Sequence, residues 1–205
     1  MWRICALALA LAFGSAAPAA AADPAAEQVQ KFYDTLLGTM KQGPQLGMQG
    51  RYRAMEPAVD QAFDLPAMMQ FIVGPGWTGM SDRDRSALVA AFRRLTIANY
   101  AANFTRFAGE QFKVDSAVQE RGPDKLVQTT LLPAGDKPVP LIYRMRDTSG
   151  SWKIIDIFLE GYVSELATRR SDFAATLASG GASALVARME QLSASLLAGR
   201  TKTGP

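Results

Sequence analysis

Apolar residues recur with two different periods along this chain, and the change of period divides it into three stretches. Val29, Phe32, Leu36 and Met40 follow the spacing of an amphipathic helix, which Gly43-Pro44 should close. A weaker helical pattern runs from about Leu46 to Phe63. Asp64 is placed to cap a short apolar helix over Leu65 to Val73, with Pro66 near its start. Gly74 to Gly79 reads as a turn-forming loop. Ser81-Asp82-Arg83-Asp84 has the spacing of a capping box and opens the longest helix, Asp82 to about Phe107. Leu88, Phe92 and Leu95 form one stripe on it; Ile97, Tyr100, Phe104 and Phe107 form another, rotated from the first. Together they cover more of the circumference than one buried face requires, so this helix should be buried on two sides or face both a core and a cavity.

The period then shortens to two. Strands are predicted over Gln111 to Gln119, Lys125 to Leu132, Val139 to Arg146 and Trp152 to Leu159. Turn signals at Arg121-Gly122-Pro123-Asp124, Pro133-Ala134-Gly135-Asp136 and Asp147-Thr148-Ser149-Gly150 separate them, which implies an antiparallel meander. Phe112, Val114, Ser116 and Val118 share one face, as do Val139, Leu141, Tyr143 and Met145. The last strand is apolar on both faces. Two helices should end the chain, one marked by Tyr162, Leu166, Phe173 and Leu177 up to Gly180-Gly181, the other by Leu185, Met189, Leu192 and Leu196. The expected architecture is α+β: helices wrapped around one face of a curved four-stranded antiparallel sheet, as a half-open cone that can enclose an apolar cavity.

Composition narrows the chemistry. None of the 205 residues is histidine, and the one cysteine, Cys5, lies in a segment expected to be removed. His and Cys general bases, Ser-His-Asp triads, CxxC pairs and His/Cys metal sites are therefore excluded. No acidic metal cluster, P-loop or nucleophile-elbow motif occurs, and no cofactor is expected. Lys and Arg number 22 against 19 Asp and Glu, without the basic clustering that nucleic acid requires, so no nucleic-acid partner is expected.

Met-Trp-Arg, an apolar run from Ile4 to Phe13 and small residues ending in Ala20-Ala21-Ala22 read as a cleaved signal peptide, residues 1–22. The run is too short to span a bilayer. Residues 23–198 would then form a single α+β domain and 199–205 a frayed tail. The product would be exported, cysteine-free and soluble, as in a bacterial periplasm.

Two classes of function remain. Asp156 sits in an apolar strand, where an isolated carboxylate can become an acid or base of raised pKa; alternatively it pairs with an Arg or caps a helix. An isomerase- or dehydratase-type enzyme would need Asp156 or a cavity tyrosine. The other class is binding. The chain has nine Met and ten Phe, many on faces expected to point inward, which suits a pocket for a flexible apolar guest or simply a packed core. Each buried CH₂ is worth about 0.8 kcal/mol, so a fifteen-methylene chain offers roughly 12 kcal/mol before costs. A solid-cored interaction module is the third possibility.

Phe63-Asp64-Leu65-Pro66, Ile72-Val73-Gly74, Trp77, Arg83, Phe92, Tyr100 and Gly109-Glu110-Gln111-Phe112 occur in an order that resembles the MlaC family of periplasmic phospholipid-binding proteins. So do Trp152 to Ile157, Glu160-Gly161-Tyr162-Val163, Arg169 to Phe173 and the Leu177 to Leu185 segment. The Phe-Asp-Leu-Pro-Ala-Met-Met and Gly-Pro-Gly-Trp wording is similar to the HpnM branch, associated with hopanoid biosynthesis. The resemblance implies an NTF2-like cone with lipid tails inside, hopanoid or phospholipid as cargo, and no catalysis. It also implies shuttling between an outer-membrane lipoprotein or porin complex and an inner-membrane ABC transporter with an MCE-domain subunit. The expected lipid-binding residues are Tyr143, Met145, Ile155 and Ile157 on the sheet and Phe71, Val73, Phe92, Tyr100 and Phe104 on the helices. Which face of the last strand looks inward stays open. Arg83, Arg85, Arg93 and Arg94 are either contacts for lipid head groups or an acidic partner, or a solvated helix face.

Overall fold

Asp23 caps helix α1 (Pro24–Lys41): its carboxylate accepts the Ala25 N–H at 2.8 Å, and Pro24 stands in the first turn, where a missing donor costs nothing. The structure, a computed structural model, describes residues 22–199. The expected signal peptide, apart from Ala22, and the expected tail, apart from Gly199, lie outside the described residues. Among these, no helix is long and apolar enough to cross a membrane.

Gly43-Pro44 does not close the first helix as expected. Gln42 already does, and Gly43-Pro44 instead opens α2 (Gly43–Ala62). Gly43 is required there because a Cβ would come within 2.0 Å of the Thr105 carbonyl oxygen. Buried Arg51 secures the same junction, donating to the Ala101 carbonyl at 2.8 Å and the Gly43 carbonyl at 3.0 Å. Phe63 leaves the helix extended and bridges to Ile154 at the edge of the sheet. Helix α3 (Leu65–Val73) follows, with the Asp64 carboxylate accepting the Ala67 N–H at 3.0 Å. The expected loop at Gly74–Gly79 is wound into a 3₁₀ turn. Arg85 holds it, donating to the Trp77 and Thr78 carbonyls with its guanidinium over the Trp77 ring.

Ser81 opens α4 (Asp82–Asn103), accepting the Asp84 N–H at 3.1 Å. The helix stops before Phe104 rather than at Phe107, because the following backbone runs against Gly43. Four antiparallel strands then form a meander: β1 (Gln111–Arg121), β2 (Asp124–Leu132), β3 (Val139–Thr148) and β4 (Ser151–Leu159). A fifth strand corrects the four-stranded expectation. β5 (Val163–Ser164) pairs with the end of β4 after a turn in which Glu160 and Gly161 both have positive φ. Two residues are too few to show alternation, so the sequence hid it. Tyr162, expected to begin a helix, stands 72% exposed in that turn. The two expected final helices are the halves of α5 (Glu165–Leu197), which breaks at Gly181, φ 62°.

Irregular register curves the sheet. Pairing of β1 with β2 jumps between Val114 and Val118, and β4 carries an extra residue opposite the Arg144–Met145 step. That residue is Ile155: Tyr143 pairs with Ile157 and Met145 with Ile154. Leu141, Tyr143 and Met145 therefore share the concave face with Leu159, Ile157 and Ile154. Helices α1, α2, α3 and α5 pack against the sheet, and α4 faces it across a gap. Lys125 ties α1 to the sheet, 2.6 Å from Asp23 and over the ring of Trp152.

On the convex face the Asp124 side chain is buried beneath Arg144 and Arg146, each donating to it at 2.6 Å. Burial alone would raise its carboxyl, but the hydrogen bonds from Arg146 and Arg144 outweigh it and hold it below the usual value. A depressed native pKa contributes stability that is full above the ordinary aspartate value of about 3.9 and is lost as pH falls through the native one. Asp124→Asn should cost about 1–2 kcal/mol at neutral pH, and the difference from wild type should close in acid, as read by urea denaturation across pH. Two glycines test the close approach at α2. Gly43→Ala should lower stability by about 1–3 kcal/mol. Gly38→Ala, in a helix with open space around the added methyl, should raise it by about 0.5–1 kcal/mol. Thermal melts of both variants check the opposite signs.

Candidate functional site: a half-open cavity between sheet and helices

The concave face and its helical cover do not close on each other completely. A cavity of about 310 Å³ remains between them. From the sheet, Phe112, Leu131, Val139, Leu141, Tyr143, Ile157 and Leu159 face it. From the other side come Tyr33 and Leu36 of α1, Phe63, Met68 of α3, and a row on α4. That row is Phe92, Thr96, Asn99, Tyr100 and Asn103, which fall on one helical face. The opposite side of α4, with Ile97, Ala98 and Ala101, is fully buried by its neighbouring helices. Leu166 of α5 adds to the wall, with Glu165 and Arg169 beside it. Asn103 and Leu159 are the lining residues most open to solvent.

Aromatic contacts fix the wall. Tyr33 stacks on Phe112 at 4.4 Å between ring centroids and meets Tyr143 edge-on at 5.5 Å. Phe32 meets Tyr100 edge-on at 5.0 Å, and Tyr100 stacks with Phe104 at 5.9 Å. The Tyr33 hydroxyl shares a 2.8 Å hydrogen bond with Thr129 Oγ1, which lies 3.3 Å from the Leu141 carbonyl. Burial pushes the Tyr33 phenol up to about 12, and Tyr100 and Tyr143 upward as well. All three stay neutral through the physiological range, as hydrocarbon-lined walls require.

Of the residues expected to bind lipid, Phe92, Tyr100, Phe104, Tyr143 and Ile157 lie together on this wall. The other four do not. Phe71 points outward, 45% exposed beneath the Arg170 guanidinium. Val73 and Met145 are packed into the core, and Ile155 is the extra residue of the β4 bulge. The open question about the last strand resolves accordingly: Ile157 and Leu159 look inward. Sequence reasoning did not single out Tyr33, and it placed Phe112 and Leu141 on strand faces without assigning them to the site. It also passed over Thr96, Asn99, Asn103, Glu165 and Arg169, because only apolar spacing was followed; the spacing of Phe92, Thr96, Tyr100 and Asn103 was a legible signal.

Asp156, on which an enzymatic reading rests, is outside the cavity wall. Its carboxylate accepts the Ile157 N–H at 2.8 Å, the Ser164 hydroxyl at 2.7 Å and the Leu166 N–H at 3.1 Å, while Ser164 Oγ accepts the Ala167 N–H. It caps α5 rather than facing a substrate. Among the described residues no group of three or more Asp, Glu, Cys or His could hold a metal ion. The α4 arginines serve mainly internal contacts. Arg93 joins Asp60 and Glu56, Arg94 joins Glu190, and Arg85 holds the 3₁₀ turn; Arg83 alone remains exposed.

A family model described as "MlaC protein" matches residues 30–191, which include the cavity and its helical cover. This chain belongs to the MlaC family. Among solved structures, a phospholipid-binding protein from Ralstonia solanacearum, crystallised in complex with a phospholipid, has a similar fold. The TM-score is 0.74 at 23% identity, over 85% of this chain and 99% of that one. No curated protein sequence matches. At that identity the likeness is one of fold.

Asp156→Ala should destabilise the protein by about 1–3 kcal/mol in chemical denaturation, with helix content falling at the start of α5. Full stability in the alanine variant would overturn the capping role.

Proposed function

We propose that this MlaC-family protein is a lipid carrier without catalytic activity, holding acyl or polycyclic hydrocarbon in the cavity between β3, β4 and helix α4. The observation that carries the reading is the cavity itself: about 310 Å³, walled mainly by aromatic and aliphatic side chains and open near Asn103 and Leu159. A protein gains nothing from leaving such a volume empty, since each unfilled methylene position forfeits dispersion contacts. The phospholipid bound in the Ralstonia structure supports a lipid guest. The Gly74 to Trp77 and Phe63 to Met69 wording favours a hopanoid among candidate cargoes.

Export by the N-terminal signal segment places the carrier in the periplasm. There it shuttles cargo between an outer-membrane lipoprotein or porin complex and an inner-membrane ABC transporter with an MCE-domain subunit. A protein-enclosed guest crosses water without exposing its tails, which is the physical reason for a carrier.

Protein purified from the cell envelope and extracted with organic solvent should release a stoichiometric lipid, identified by mass spectrometry. Ile157→Trp, which fills the cavity from the sheet side, should reduce that yield at least tenfold while the thermal melt stays cooperative. Lipid-free wild-type protein, or a Trp variant that retains the full yield, would overturn the reading.

A further inference from the structure

The cavity wall holds one carboxylate. Glu165, the first residue of α5, stands half-buried in it beside Ile157, Leu159, Leu166, Tyr100 and Phe104. A carboxylate at the start of a helix ordinarily takes the free N–H groups there. Here those donors are already taken: Asp156 accepts the Leu166 N–H at 3.1 Å, and Ser164 Oγ accepts the Ala167 N–H at 2.9 Å. Among the described residues no protein group hydrogen-bonds the Glu165 carboxylate, and Arg169, one turn on, attracts it without closing into an ion pair. Against that one cation stand two anions, Asp156 from β4 and Asp172 from α5 itself. From α4 it faces Tyr100, whose phenol stays neutral, while α3 and β5 bring no charged residue. Burial already raises the Glu165 carboxyl, an effect that Arg169 opposes and the two aspartates reinforce.

Water reaching in through the half-open mouth is the remaining source of hydrogen bonds for this group. A hydrocarbon guest displaces that water and offers nothing in return. An ionised carboxylate in such surroundings is far more costly than a neutral carboxyl. We propose that loading of the cavity is coupled to protonation of Glu165, so that the protein takes up a hydrogen ion with its apolar guest and holds the guest less tightly as pH rises. A guest that dries the wall lifts the Glu165 carboxyl further above the ordinary glutamate value of about 4.3. Affinity is then full below the pKa of the empty protein, falls as pH climbs from there to that of the loaded protein, and levels off above it. By reciprocity, protonation favours the loaded form. This inference rests on the carrier reading above, and it concerns the hydrocarbon of the guest rather than its polar end.

Delipidated full-length protein is titrated calorimetrically with 1-decanol, a neutral guest, below its solubility limit. The titrations run at about pH 5, about pH 6.5 and about pH 8, each in two buffers of different ionisation enthalpy so that protons are counted. Wild-type affinity should fall about tenfold from the lowest pH to the highest, with uptake of up to about one proton per guest in between. E165Q should flatten the profile to within about twofold and abolish the uptake, and E165D should keep a dependence of the same sign. The wild-type proton count needs no variant and stays readable if E165Q fails to fold. A constant wild-type affinity without proton uptake, or an affinity that rises with pH, overturns the coupling and leaves the carrier reading standing. E165Q that keeps the wild-type profile and uptake overturns the role of Glu165. Wild type that binds no decanol at any of these pH values overturns the carrier reading and this inference with it.

Discussion

Helix α4 carries more apolar surface than its helical neighbours can cover, and the molecule is arranged around that excess. One side, rich in alanine, allows its helical neighbours to approach closely and is sealed. The other presents Phe92, Tyr100 and Asn103 to a sheet that bends away from it. Burying both sides against protein would require a flat sheet or a thicker layer of side chains. The chain supplies neither, so an apolar wall is left facing a space.

The curvature comes from irregularity. Ile155 is an extra residue in β4, and β1 slips between Val114 and Val118. Both bend a sheet that regular pleating would leave more open. The edges are managed by short devices: the Phe63 bridge at one end of β4 and β5 at the other. Asp156 then turns the end of the sheet into the start of α5, so the helix bearing Glu165 and Arg169 is positioned by the strand that bears Ile157. The apolar wall and its polar edge are set by the same few residues.

Much of this was legible in the chain before any coordinates. Asp64 and Ser81 marked helix starts, and alternation marked four strands, because caps and period-two patterns are local. The double stripe on α4 foretold a helix with two different surroundings. What stayed hidden depended on distant contacts. Gly43-Pro44 read as a stop and proved a start, since only the Thr105 backbone decides between them. Phe71 and Val73 belong to a run with no polar face, so nothing local said which side would turn inward. Ile155 and Ile157 were indistinguishable until the bulge placed one of them out of register. Arg169 was quoted as part of a family likeness, not as a cavity residue, because hydrophobic spacing is silent about a charged side chain in an apolar wall.

The two tryptophans of the described residues stand apart from all this. Trp77 lies under Arg85 in the 3₁₀ turn and Trp152 under Lys125 at the far end of β4, and neither belongs to the cavity wall. The chromophores that do line it are phenols and benzene rings. Indole fluorescence thus reports on two outlying corners, each next to a positive charge, and is a poor witness to what enters or leaves the interior.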